Sequence, residues 1–325
     1  MSVPGFVDLQ VNGYRGVNFS DAGLTVDQVL NVAAELAARG TIAFCPTVIT
    51  SSPDTYRKVL PVLAEAAGER EGRGILGIHL EGPFINSREG AVGAHDAGFV
   101  QAADVALFEE LWQLSGRRVA LLTLAPEVTG APWLIRYARD RGAAVSIGHT
   151  LCGTEDVKEA VACGATLSTH LGNGCPNLLD RHHNPIWAQL DSPLHAMLIT
   201  DGHHLPPPVI RTFMRVKGAG HVILTSDSAS VAGLPPGEYS CAGRPVRITA
   251  SGRVENLLAP TLSGSSATLL DCVNHLADLG FADEALLTRV SVDNPLAAIG
   301  CTRAALDGLA GAALYWDCGR FRIRK

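Results

Sequence analysis

Four short apolar runs of this chain end in residues that can bind a cation or carry a proton. One closes in His79-Leu80-Glu81-Gly82-Pro83, another in Gly148-His149, another in Thr169-His170 and another in Thr225-Ser226-Asp227. Carboxylate and imidazole together are ordinary ligands for a borderline divalent ion such as Zn²⁺ or Fe²⁺. A set of Glu81, His149 and His170 leaves room for water, and Asp227 then suits a proton carrier. A carboxylate at the end of an apolar run is costly unless a cation or hydrogen-bond donors compensate it. Singly, each signal is weak: a strand-end histidine is more often a hydrogen-bonded structural residue, and an aspartate before Ser228 can cap a turn. Their joint placement is what points to metal-assisted hydrolysis. His203 and His204 follow Asp201-Gly202, where the glycine permits a tight turn. Either imidazole is placed to face inward and polarise a carbonyl oxygen. His79 shares the strand face of Glu81 and reads as core or as support for the site. His95 falls in a long polar loop, placed to meet substrate or water.

Positioning these residues requires a scaffold whose strand ends converge. Apolar runs at 5–13, 41–48, 74–80, 119–125, 143–147, 166–169, 194–200 and 221–225 alternate with helical patterns at 26–39, 53–67, 102–114, 132–141, 154–162 and 208–217. This βα rhythm predicts the α/β class and a (β/α)8 TIM barrel with the chemistry on the C-terminal face, and the residues at the run ends suit a barrel of the metal-dependent hydrolase type. An open doubly wound sheet would collect its chemistry at one switch point; here polar residues cap nearly every run. The barrel is expected to occupy 1–310. Within it, a small hairpin insertion falls near 234–255, with 246–249 as one strand, followed by helices at 267–279, 283–290 and 295–299. The tail, 311–325, alternates weakly and reads as an edge hairpin or a frayed end.

Composition narrows the function classes. With 26 Lys and Arg against 32 Asp and Glu, the formal charge is −6, and no basic run suggests a groove for a phosphate backbone, so no nucleic-acid partner is expected. No apolar run approaches the roughly 18 residues that cross a bilayer, and no secretory leader is visible, so no membrane partner is expected. The eight cysteines form no CxxC pair, which suits buried thiols in a reducing cytoplasmic setting.

The motifs together resemble the N-acetylglucosamine-6-phosphate deacetylases of the amidohydrolase superfamily. The matching stretches are Gly5-Phe-Val-Asp-Leu-Gln-Val-Asn-Gly13, His79-Leu-Glu-Gly-Pro-Phe84, Gly93-Ala-His95, Gly148-His-Thr150, Thr169-His170, Asp201-Gly-His-His204, Thr225-Ser-Asp227, Leu262-Ser-Gly-Ser265 and Asp293-Asn-Pro295. The resemblance implies Glu81, His149 and His170 as metal ligands and Asp227 as the catalytic acid/base. It implies His204 as the residue that orients and polarises the acetamide, and His95 as a contact to the distal end of the substrate. Many superfamily members carry His-x-His on the first strand and hold a second metal; here those positions are Gln10 and Asn12. One divalent ion, Zn or Fe(II), is therefore expected, with Gln10 and Asn12 hydrogen-bonding near the water. The implied substrate is a small amino sugar, expected to be phosphorylated, and the implied assembly is a homodimer.

Two departures stand out. The family's small β-sandwich, built from both termini, is expected to be missing or vestigial, with the tail as a possible remnant. The family follows its second metal histidine with an aromatic-Asn-Ala-Met stretch whose backbone helps hold phosphate; here it reads Leu171-Gly-Asn-Gly-Cys175, leaving Asn173 and Gly174 as the expected substrate contacts. Arg181 in the next loop is the candidate to reach a neighbouring subunit's phosphate, against a plain solvated loop with His182 and His183. Alternatives in function are an amidohydrolase for another N-acetyl sugar, an N-acyl amino acid or a cyclic amide, and a non-catalytic sugar-binding barrel.

Overall fold

A computed structural model describes residues 2–324; Met1 and Lys325, the outer ends of the 1–310 and 311–325 segments, lie outside the described residues. Eight parallel strands follow one another in chain order: β1 (Phe6–Val11), β2 (Thr41–Ile49), β3 (Ile78–Glu81), β4 (Val119–Leu124), β5 (Ala144–Ile147), β6 (Leu167–Ser168), β7 (His195–Ile199) and β8 (Val222–Thr225). Every residue of β1 and all but the last of β2 are buried. Burial on both faces is why these strands read as continuous apolar runs and not as alternating ones. The fold is the expected TIM barrel.

The seam between β8 and β1 is closed by few but specific contacts. Val11 bridges Ser228 in parallel, and the Asn12 amide donates to the Ser228 carbonyl at 2.9 Å. Below them the buried Asp8 carboxylate accepts from Thr225 Oγ1 at 2.7 Å and from the Ser226 amide at 3.2 Å. Burial nevertheless pushes this carboxyl above its usual range, because these hydrogen bonds only partly replace water.

The crossover helices are set by caps and by one apolar face each. Helix α1 (Val26–Ala38) starts at Thr25, which makes a reciprocal capping box with Gln28, and it buries Val29, Val32, Ala33 and Leu36. Gly40 follows at φ +89°; a Cβ there would meet Leu314 Cδ2 at 2.9 Å. Pro61 lies inside α2 (Pro53–Ala66) without ending it. The third helix, α3 (Val105–Leu114), begins later than its apolar pattern suggests, because Asp104 caps it through the amides of Ala106 and Leu107. Then come α4 (Ala131–Asp140), α5 (Thr154–Cys163), α6 (Pro185–Leu190) and α7 (Pro207–Lys217), with α8 (Leu269–Asp278) after the eighth strand.

Two local expectations need correction, and the tail takes the first of its two expected forms. The helices expected at 283–290 and 295–299 are one continuous element, since a π-helical stretch, Arg289–Asp293, joins Glu284–Thr288 to Asn294–Ala298. Pro295 sits at the start of a new α-turn, where its missing N–H costs little. The insertion is a three-stranded antiparallel sheet and not a hairpin: Gly237–Cys241, Arg244–Ile248 and Val254–Asn256. The tail is a hairpin, Leu314–Asp317 with Arg320–Ile323, that pairs with Ser2–Val3.

Under the barrel mouth lies a polar layer. His79 is fully buried, 3.2 Å from Thr47 Oγ1 and 2.7 Å from Thr123 Oγ1, and the chain of bonds continues through Thr169 to Ser146. His79 is thus core, and its ring braces the two strands that carry Glu81 and Thr123. No helix among the described residues is long and apolar enough to cross a membrane.

Candidate active site

Polar groups gather at the C-terminal mouth because each follows its strand directly. Glu81 ends β3 and is 2% exposed. Its Oε1 lies 3.1 Å from His149 Nε2 and 3.0 Å from His170 Nε2, and the two imidazole nitrogens are 3.1 Å apart. Gln10, from β1, donates its amide to the same oxygen at 2.9 Å. His149 and His170 follow β5 and β6 with φ of +51° and +30°, a left-handed backbone that non-glycine residues rarely adopt. Gly174 lies against both rings; a Cβ there would come within 3.1 Å of His170 Cε1 and 3.2 Å of His149 Nδ1. The turn after His149 is pinned by Glu127, which accepts from Thr150 Oγ1 at 2.5 Å and from the Leu151 amide at 2.7 Å.

The donor set suits a cation. His149 donates Nδ1–H to the Ala91 carbonyl at 2.7 Å, so in the neutral ring Nε2 carries a lone pair that faces the Glu81 oxygen. Lone pairs at that spacing repel unless a proton or a cation lies among them. Burial alone would raise the Glu81 carboxyl, but the two imidazoles outweigh it and hold it well below the usual range. Burial would lower His170, but the Glu81 charge outweighs it and raises the ring. Among the described residues, His170 Nδ1, Gln10 Oε1 and Asn12 Oδ1 are buried polar atoms without a partner. The residues present therefore fit a divalent ion.

His95 belongs to this cluster more closely than its loop position suggests. Glu81, His95 and His149 are all buried, and their ligand atoms lie within 4.8 Å of one another. His95 Nε2 is 3.2 Å from His149 Nε2 and 3.8 Å from Glu81 Oε2. Its Nδ1 accepts from the Thr50 amide at 3.2 Å, which leaves the ring proton of the neutral form on Nε2. Burial, reinforced by His149, pushes this ring down to about 3. The structure thus places the His95 ring beside Glu81 and His149.

Asp227, at φ +48° just past β8, lines the same cavity. Asn12 donates to its Oδ1 at 2.7 Å. Burial, and next the Glu81 charge, push its carboxyl up to about 6. Beside it lies a pair that sequence reading left half-finished. His204 lines the cavity with Nδ1 at 2.8 Å from Asp201 Oδ2, while the amides of His203 and His204 donate to Asp201 Oδ1 at 2.8 and 2.9 Å. Burial raises the Asp201 carboxyl, but the His204 ring and these amides outweigh it and hold it well below the usual range. The i,i+3 spacing of Asp201 and His204 around Gly202 was the available signal. His203 is otherwise engaged: its Nε2 lies 2.9 Å from the Ser251 carbonyl of the inserted sheet.

These groups share one cavity of about 400 Å³, which Asn173, Gly174 and Cys175 also line. Arg181 does not reach it; within this chain it is exposed, on the loop before α6.

No protein-family model matches the chain. N-acetylglucosamine-6-phosphate deacetylase of Danio rerio is 37% identical over 304 residues, covering 89% of this chain and 73% of that protein. The Homo sapiens protein of the same name is 36% identical, over 89% of this chain and 72% of its own length. The chain belongs to the N-acetylglucosamine-6-phosphate deacetylase family. That is a family of metal-dependent amidohydrolases. Among solved structures, the deacetylase of Mycobacterium smegmatis superposes with a TM-score of 0.88 at 27% identity, over 98% of this chain and 84% of that one. An aspartate-to-alanine variant of that enzyme, in complex with N-acetyl-D-glucosamine-6-phosphate, gives a TM-score of 0.87 at 26% identity over 98% of this chain and 83% of that one.

Proposed function

We infer that this protein hydrolyses the acetamide of N-acetylglucosamine 6-phosphate to glucosamine 6-phosphate and acetate. The observation that carries this reading is that one cavity is lined both by Glu81, His149 and His170, whose ligand atoms lie within 3.1 Å of one another, and by Asp227 and His204. Glu81, His149 and His170 would hold one divalent ion, Zn²⁺ or Fe²⁺, which mixed nitrogen and oxygen donors suit. His170 is preferred to His95 as the third ligand because the Nε2 proton of His95 occupies the position a ligand lone pair would need. The ion supplies Lewis acidity when bound.

The protein's own groups do the rest. Asp227 accepts a proton from the attacking water and, once the tetrahedral carbon has formed, returns it to the sugar nitrogen. The C–N bond then breaks, leaving acetate and the amine. His204, held through Nδ1 by Asp201, presents Nε2 to the carbonyl oxygen and stabilises the negative charge that gathers there. Asn12 fixes the Asp227 carboxylate and Gln10 fixes Glu81. Asn173 and Gly174 are the proposed contacts to the sugar and its phosphate, with His95 beside the acetamide. Arg181 would contribute only from a second copy, so its role is proposed together with a homodimer. The barrel is proposed to span 1–310, and the 311–325 tail to correspond to part of the family's flanking sandwich. The eight free thiols support a reducing, cytoplasmic setting.

The test is acetate release from N-acetylglucosamine 6-phosphate by metal-replete protein, set beside unphosphorylated N-acetyl sugars and N-acyl amino acids. The reading fails if that sugar phosphate is untouched while another amide turns over.

A further inference from the structure

The three-stranded insert brings a cation to the cavity wall that no part of the reaction described so far uses. Arg244 opens the middle strand, directly after the turn at Ala242 (φ +49°) and Gly243 (φ +75°). It is half-buried and lines the same cavity as Glu81 and Asp227. Its Nη2 donates to the His95 carbonyl at 3.0 Å. That single bond clamps the guanidinium to the catalytic loop but leaves its other donors uncommitted to any anion. Among the described residues no carboxylate lies within ion-pair distance of it, whereas Arg247, three residues on, pairs with Glu238 at 2.7 Å.

The insert is fixed to the barrel rim, so this placement is not incidental. His203 reaches the Ser251 carbonyl, Ser266 Oγ donates to the Gly252 carbonyl, and Val246, Ile248 and Val254 bury themselves against Ala229 and Val231. The lining carboxylates of the cavity are Glu81 and Asp227. Its lining arginines are Arg244 and Arg253, both from the insert, and Arg253 already has Glu255 at 3.5 Å. One uncompensated guanidinium on the wall of this cavity favours a ligand that carries a negative group.

We propose that Arg244 is a specificity-determining residue that grips the phosphate of the substrate from within the same chain. This rests on the deacetylase reading above and adds to it a cation that needs no second subunit. A forked guanidinium suits a phosphate oxygen pair better than a lysine ammonium does.

The experiment compares kcat/KM for N-acetylglucosamine 6-phosphate and for N-acetylglucosamine in wild type, R244Q, R244K and R253Q, each with its metal content measured. The ratio of phosphorylated to unphosphorylated substrate should fall on the order of 10- to 100-fold in R244Q. R244K, which retains the charge and a donor for the His95 carbonyl, should recover part of that ratio. R253Q should shift it by less than about threefold, because Arg253 is already neutralised. An unchanged ratio in R244Q, with both substrates losing activity together, overturns the proposal, as does an equal effect in R253Q. If wild type hydrolyses neither sugar, the deacetylase reading fails on its own. Calorimetric titration with inorganic phosphate then still decides: at least a tenfold weaker Kd in R244Q supports the anion site, and an equal Kd removes it.

Discussion

Replacing Asp201 by asparagine isolates what the carboxylate does for His204. The asparagine oxygen can still accept the His203 and His204 amides, which now bond to Asp201 Oδ1 at 2.8 and 2.9 Å. What disappears is the anion 2.8 Å from His204 Nδ1. The side chains of His204 and Asp201 are only 6% and 2% exposed, so water screens little of their interaction. That carboxylate accepts from His204 Nδ1 and so orients the ring whose Nε2 donates to the oxyanion. A charge-assisted hydrogen bond of this kind contributes about 1.5–3 kcal/mol. Lost only in the transition state, this lowers kcat about 10- to 150-fold. Because the scaffold bonds survive, KM should stay within about threefold and metal content should not change. The assay is steady-state acetate release with metal analysis on the same sample, and D201E should recover part of kcat. A D201N enzyme with wild-type kcat, or one that loses kcat only in proportion to its metal, refutes the reasoning.

Other substitutions separate metal binding from proton transfer. Asp227→Asn should lower kcat by about 10²–10⁴-fold with metal retained, since it removes the proton carrier but no ligand; metal loss in proportion to activity would assign Asp227 to the ion instead. The acid limb of kcat/KM should lie at or below about pH 6, where burial and Glu81 place the Asp227 carboxyl, because a bound cation can only lower it; a limb above pH 7 contradicts this. Glu81→Gln should weaken metal affinity at least about 100-fold, read by metal content after dialysis, since it removes the one anionic ligand. His79 is held neutral by burial, pushed down from 6.5 to about 4. The unfolded chain then binds more protons between those values, so stability is complete above about pH 6.5 and is lost as pH falls towards 4. At 1.36 kcal/mol per pH unit the loss is about 3 kcal/mol. Urea midpoints for wild type and H79Q across that range measure it, and identical pH dependence would show that His79 does not titrate in this way.

The sequence disclosed most where burial and chain order coincide. Strands such as Phe6–Val11 and Thr41–Ile49 are apolar throughout because both faces are covered, and a polar residue at such a run's end has only the barrel mouth to occupy. Glu81, His149, His170 and Asp227 were legible for that reason. Residues whose role depends on contacts across the barrel were not. His95 sits in a loop that no local periodicity aims, and its place follows from Thr50 and His149. Arg244 belongs to a short three-stranded insert whose docking is decided by His203, Ser266 and a few apolar contacts. The joined helix at 284–298 was hidden by Pro295, whose local preference to start a helix gives no sign of the π-helical turn before it.

The backbone at the mouth ties fold to chemistry. His149, His170 and Asp227 all take positive φ where their strands end, in conformations that cost on the order of 1–3 kcal/mol each. Strands alone would send successive side chains alternately to core and to barrel exterior. The left-handed turn redirects each one towards the cavity without lengthening the strand, and the surroundings hold it there: Ala91 and Glu127 around the His149 turn, Gly174 against both rings, and Asn12 on Asp227. Glycine would relieve the backbone strain at these positions but supply neither imidazole nor carboxylate. The strain persists because the barrel's packing, and not local preference, sets the direction of these three side chains.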